Sequence, residues 1–365
     1  MKQMNTPICR LPVTFLKSVI KTITLLLFGA LIGFLSRSSS PNYNSTDAHQ
    51  LDSVPVLHFD DLEYNNTAAG HISMMVRILC LITTTKQNHI SKARHVAATW
   101  AKRCTKYIFV SSESDPSLPS IHFDIPEGRD HLWSKTKAAF KYAYDHYPKD
   151  IDWFMKADDD TYVILENLRL FLLTQRADDP IYVGCRFKRE VKNGYMSGGA
   201  GYVLSRGALT AFVERALPNS SLCSADDTVN EDVEMGKCLE NVGVRIQSSI
   251  DSAGRHRFLA LQPLKYLIPD AATSDFWVSS YSYDPVSQGS KCCSQYAITF
   301  HYMTPAQMYL MEYLIYQLVA YGLRERANMK AAQGEIAARA SLLSSGLTSH
   351  GKKLRKAVNA LTDPL

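Results

Sequence analysis

The sequence carries no internal repeat and no low-complexity segment before about residue 323, which excludes solenoids, propellers and fibrous arrays. It also lacks a basic body. Lysine and arginine outnumber aspartate and glutamate by 40 to 35, but the surplus lies at the two ends. Residues 1–37 hold five bases and no acid, and residues 324–365 hold eight bases against three acids. Residues 38–323 therefore carry 27 bases and 32 acids. A mildly acidic body argues against a duplex-binding face, so no nucleic-acid partner is expected. Disorder is excluded too, because 46% apolar and 10% aromatic content is ample for a core.

Val19 to Leu35 is apolar apart from Lys21 and a few hydroxyl or small residues. That is about the length of one short membrane-spanning helix. It leaves through SRSSS and has no A-x-A-like exit, which favours an anchor over a cleaved signal. Basic residues precede the span, so residues 1–18 should be a cytosolic tail and everything after Arg37 lumenal. A short span suits the thinner membranes of the early secretory pathway. The expectation is a single-pass, membrane-anchored protein of the Golgi. Three Asn-x-Ser/Thr triplets, at Asn44, Asn65 and Asn219, agree with it. Seven of the eight cysteines follow the span, where disulfides persist, and an odd count leaves at least one unpaired within the chain.

Residues 36–70 are polar and without period, reading as a stem. At Val76 the pattern changes. VRILCLIT (76–83) and YIFVSS (107–112) are apolar strands, with a helix between them from a cap at Ser91 to about Cys104. TKAAFKYAYDHY (136–147) gives another helix and IDWFMKA another buried strand. Apolar runs instead of alternation mean an α/β fold with a mainly parallel sheet covered by helices on both faces. The catalytic or binding body should span 71–323, and 324–365 reads as a helix followed by a basic end.

IDWFM runs into KADDDTYV, three carboxylates in a row at Asp158, Asp159 and Asp160. Like charges crowd only where something positive compensates them. One reading makes them helix caps for the segment carrying Ile164, Leu168, Phe171 and Leu172. One aspartate is enough for a cap. Three at the carboxyl end of a buried parallel strand, where open α/β sheets bind ligands, suggest a cation. The calcium loop of an EF-hand is excluded, since the sixth position has no glycine and the twelfth no glutamate. Asp158-x-Asp160 instead offers two carboxylates and leaves positions on a divalent ion open for a diphosphate.

Four further segments follow. YMSGGAGYVLS (195–205) places Gly198, Gly199 and Gly201 where backbone can approach a ligand closely, or in a plain turn. Glu231 and Asp232 open a helix, as ligand-facing groups or first-turn acids. WVSSYSYDP (277–285) is an aromatic cluster suited to sugar faces or to a core. CCSQYAITFHYM (292–303) ends a strand-like run in His301, a third metal ligand or a structural histidine.

WFMKADDDTYV, YMSGGAGYVLS, EDVEMGKCLE and CCSQYAITFHYM, in that order, resemble the glycoprotein-N-acetylgalactosamine 3-β-galactosyltransferases (core 1 synthases), among the inverting β1,3-glycosyltransferases that include Fringe. The resemblance covers about Val76 to Gly322 and implies a GT-A glycosyltransferase fold, Rossmann-like, in one domain. It implies UDP-galactose as donor, GalNAc α-linked to Ser or Thr of glycoproteins as acceptor, and Galβ1,3GalNAc as product. Carried over by motif, Asp158, Asp160 and His301 would hold Mn²⁺ and Asp232 would be the base. Arg94, Lys135, Asp159, Gly198, Gly199, Gly201 and Tyr202 would contact the donor. Glu231, Trp277 and Tyr283 would face the acceptor sugar. The favoured disulfides are Cys80 with Cys104 and Cys223 with Cys238, while Cys292 and Cys293 can bridge each other or reach Cys185. A homodimer and a family chaperone stay open as partners. A Fringe-like or N-acetylglucosaminyl β1,3-transferase, a non-catalytic folding partner of a core 1 synthase, and a lectin-like module are the competing readings.

Overall fold

A computed structural model describes residues 54–59, 68–147, 150–269 and 276–318. The expected membrane span, most of the stem and the basic tail lie outside the described residues. Among the described residues no helix is long and apolar enough to cross a membrane.

The central sheet has seven strands: β1 (Ile78–Thr83), β2 (Lys106–Ser111), β3 (Ser120–His122), β4 (Trp153–Asp158), β6 (Ile181–Gly184), β9 (Tyr202–Ser205) and β10 (Arg245–Ile246). Their order is β10-β6-β9-β4-β1-β2-β3. All neighbours pair parallel except β9, which runs antiparallel between β4 and β6. Alternation within the apolar strands explains why both faces are covered. Cys80, Ile82, Met155 and Ala157 point into one core, with Trp100, Phe171 and Leu172. Leu79, Leu81 and Phe154 point into the other, with Phe140, Tyr202 and Phe212. Burying each of the Leu, Ile, Phe and Met side chains contributes about 1.5–3 kcal/mol.

Several local expectations need correction. Ser91 caps no helix: the segment opens earlier with a wide turn at His89–Ala93, and the Ser91 hydroxyl donates to the Gln87 carbonyl at 3.3 Å. It continues as an α-helix only over Arg94–Ala98 and tightens at Trp100–Arg103. The aspartates cap no helix either. A short strand, β5 (Tyr162–Val163), follows them, and the next helix, Leu165–Leu172, is preceded by Ile164. The helix expected at 136–147 runs Leu132–His146, and Glu231 opens the helix Glu231–Asn241.

β5 belongs to a second, three-stranded sheet with β11 (Phe258–Leu259) and β12 (Thr299–Phe300). Phe300 pairs with Tyr162, which sets His301 beside Asp160 although 141 residues separate them in sequence. Two hydrogen-bonded strands of another hairpin, β7 (Arg186–Phe187) and β8 (Tyr195–Met196), complete the set. Disulfides join Cys80 to Cys104, Cys223 to Cys238 and Cys292 to Cys293. Cys185 is the unpaired cysteine among the described residues, and burial pushes its thiol up to about 12.

Candidate active site

Register brings the ends of β1 and β4 together: Thr83 pairs with Asp158, so both strands finish at one edge of the sheet. A cleft of about 840 Å³ opens there. Its lining includes Asp158, Asp159, Asp160, Gly198, Gly199, Glu231, Asp232, Trp277 and His301.

The positive partners of the aspartates are lysines that the sequence pattern did not single out. Lys156 Nζ lies 2.7 Å from Asp158 Oδ1 and 2.8 Å from Glu231 Oε1, and its side chain is only 6% exposed. It stands two residues before Asp158 on one face of β4, a spacing that period-two reading of the strand exposes. Two carboxylates hold its ammonium charged despite burial, raising its pKa. Lys92 sits 3.3 Å from both Asp159 and Asp160.

The three aspartates do different work. Asp159 turns inward, accepting from the Thr84 hydroxyl at 2.8 Å and the Asn88 amide at 2.9 Å. Burial pushes it up to about 6 against the pull of Lys92 and those hydrogen bonds. It fixes the turn. Asp160 faces His301, whose Nε2 lies 3.2 Å from its Oδ1. Burial opposes ionisation of Asp160, but the His301 contact and Lys92 outweigh it and bring the pKa down to about 2.

Asp158, Asp160 and His301 each present one ligand atom, all within 4.8 Å of one another. Two carboxylate oxygens and an imidazole nitrogen suit Mn²⁺ among divalent ions. The donor set therefore fits the expected metal. Gly199 packs so closely on His301 that a Cβ there would overlap the imidazole ring. Gly199→Ala is expected to turn His301 away and weaken Mn²⁺ binding about 10–100-fold, read by calorimetry, with the unfolding midpoint little changed. A Cβ on Gly198 would overlap the Glu231 carboxylate. Gly201 is required for another reason: its φ is +73°, and its N–H closes a turn on the Gly198 carbonyl at 3.0 Å.

Asp232 accepts from the Gly198 N–H at 3.0 Å and from its neighbour Val233 N–H at 2.9 Å. Burial raises its pKa against these donors and Lys156, so it is a stronger base than an exposed aspartate. Glu231 is more enclosed. Its carboxylate is spent on Lys156, the Thr136 hydroxyl at 3.2 Å and the Tyr202 hydroxyl at 3.1 Å, and burial raises its pKa as well.

Not every expected contact gathers here. Lys135 lines the cleft, but its ammonium is held 2.7 Å from Glu127. Arg94 lies outside the lining, donating to the Val54 carbonyl and to His95 Nε2, each at 3.2 Å. Gly201 and Tyr202 stand behind it, Tyr202 fully buried. Tyr283 is also outside the lining, its ring covered by the Arg186 guanidinium 3.4 Å above. Tyr281, Phe187 and Tyr195 join Trp277 in its place. The Phe187 and Trp277 rings meet edge-on at 5.9 Å.

The Fringe-like family model matches residues 74–301. Glycoprotein-N-acetylgalactosamine 3-beta-galactosyltransferase 1 of Xenopus laevis is 42% identical over 296 residues, covering 80% of this chain and 81% of that protein. Beta-1,3-glucosyltransferase of Mus musculus is 28% identical over 47% of this chain and 35% of its own length. Chondroitin sulfate synthase 3 of Homo sapiens is 30% identical over 42% of this chain and 19% of its own. A match of this length and identity places the chain in the Fringe-like family, in the branch of the glycoprotein-N-acetylgalactosamine 3-β-galactosyltransferases, and makes it a glycosyltransferase.

Proposed function

We propose that the chain transfers galactose from UDP-galactose to the 3-hydroxyl of GalNAc α-linked to Ser or Thr, forming Galβ1,3GalNAc on glycoproteins, with a GT-A body held in the Golgi lumen by its N-terminal anchor. The observation that carries this reading is the meeting of Asp158, Asp160 and His301 in one cleft with Asp232, in a chain 42% identical to a relative named for that transfer. Mn²⁺ bound by the first three would neutralise the diphosphate and stabilise it as a leaving group.

The chain's own groups do the rest. Asp232, held by the Gly198 and Val233 N–H groups, points one carboxylate into the cleft to accept the acceptor's O3 proton. The C1–O bond to the diphosphate breaks as the O3–C1 bond forms on the opposite face, so an α-linked donor gives a β-linked product, and the proton ends on Asp232. Trp277, Tyr281 and Phe187 offer apolar faces to the acceptor sugar. Lys156 keeps Asp158 and Glu231 compensated, so the cleft retains its shape before ligands arrive.

Incubating the purified lumenal chain with UDP-galactose, MnCl₂ and a GalNAc-threonine peptide is expected to add one β1,3-linked hexose. Transfer from UDP-N-acetylglucosamine in preference to UDP-galactose overturns the donor assignment, and an undiminished rate in excess EDTA overturns the metal's part.

A further inference from the structure

The β7–β8 hairpin carries Arg186, Lys188, Arg189 and Lys192 against the single acid Glu190. Lys188, Arg189 and Lys192 are exposed, and among the described residues none of the four bases forms an ion pair. Two of them are held in place by rings. The Arg189 guanidinium lies 4.3 Å over Tyr281, and Arg186 lies 3.4 Å over Tyr283. Backbone bonds fix the hairpin to the same segment: the Lys188 N–H donates to the Tyr281 carbonyl and the Tyr283 N–H to the Arg186 carbonyl, both at 2.9 Å. Arg189 donates to no acceptor among the described residues, so its fork of N–H groups is free.

This strip adjoins the aromatic end of the cleft, because Phe187, Tyr195 and Tyr281 line the cleft while their neighbours carry the charge. The rest of the body is net acidic, so a local surplus of cations here is a departure from the background. A guanidinium with unsatisfied N–H groups, flanked by two ammonium groups, matches carboxylates.

Resting on the proposed transfer to peptide-borne GalNAc, we infer that the hairpin Arg186–Lys192 reads the polypeptide beside the sugar and selects acceptors with Asp or Glu near the glycosylated residue. A panel of GalNAc-threonine peptides identical except for three flanking positions, filled with Glu, Ala or Lys, tests it. At low salt the Glu peptide is expected to exceed the Ala peptide about fivefold in kcat/KM, and the Lys peptide to fall below it. The preference should shrink in 0.5 M NaCl. In the K188E/K192E variant the Glu-to-Ala ratio should fall to about one or below. That ratio is taken within one preparation, so it does not depend on how much protein has folded. Equal kcat/KM across the panel, or a Glu preference that survives in the variant, overturns the inference. So does loss of anionic-vesicle cosedimentation in the variant without any peptide discrimination, which would assign the strip to a membrane. Should no peptide receive galactose, the proposed function fails, and fluorescence anisotropy of the same labelled peptides still decides the charge preference.

Discussion

Asp232→Asn is expected to lower kcat by about 10²–10⁴ while leaving UDP-galactose affinity within a few-fold of the parent. Asparagine keeps the shape, but its single carbonyl oxygen can accept from only one of the Gly198 and Val233 N–H groups, and it takes no proton. Steady-state kinetics with donor and acceptor varied separately check this, and unchanged turnover would remove Asp232 from the chemistry. Its pH dependence follows from burial. Because burial raises the Asp232 pKa, the carboxylate is already protonating at a pH where an exposed aspartate is still ionised. Activity should therefore be lost as pH falls through a midpoint above the ordinary aspartate value of about 3.9. In the asparagine variant that limb should vanish from the residual rate.

Asp160→Ala is expected to act on a different step. It removes one of the three groups whose ligand atoms converge, and it leaves His301 without its partner 3.2 Å away. Metal stabilisation of a leaving diphosphate is worth several kcal/mol, so turnover should fall on the order of 10³-fold. The diagnostic measurement is calorimetric: UDP affinity that depends on Mn²⁺ in the parent and no longer does in the variant. Parent protein that binds UDP equally with and without the ion would sink the metal assignment. Asp159→Asn should be milder in this assay, since that carboxylate is engaged by Thr84, Asn88 and Lys92 and does not face the His301 nitrogen.

The frame of the molecule was legible because apolar runs such as ILCLIT and WFMKAD leave a chain few options: strands buried on both faces must be central and covered. The acidic turn was legible for the same reason, as charge placed where a strand should end in a core. What escaped was whatever depended on pairing between distant segments. Nothing in YVLS marks β9 as the antiparallel strand, since its four residues are as apolar and buried as their parallel neighbours. Lys156 reads as an interruption of a hydrophobic run until Glu231 is seen across from it. Arg94 looks like a free cation near the cleft, and only the chain at Val54 shows where its donors go. Tyr283 and Tyr281 are interchangeable in an aromatic cluster. The hairpin decides between them by setting Arg186 over one and leaving the other in the lining.

Lys156 ties two banks of the cleft, the strand that carries it and the helix that begins at Glu231, 75 residues further along the chain. Remove that one ammonium, and the buried Glu231 carboxylate loses its cation beside Asp158, which favours its protonated form and loosens its hold on the strand. The same lysine thus couples the two banks of the pocket: β1 and β9 hold β4 in the sheet, and Lys156 clamps the first turn of the Glu231 helix against it.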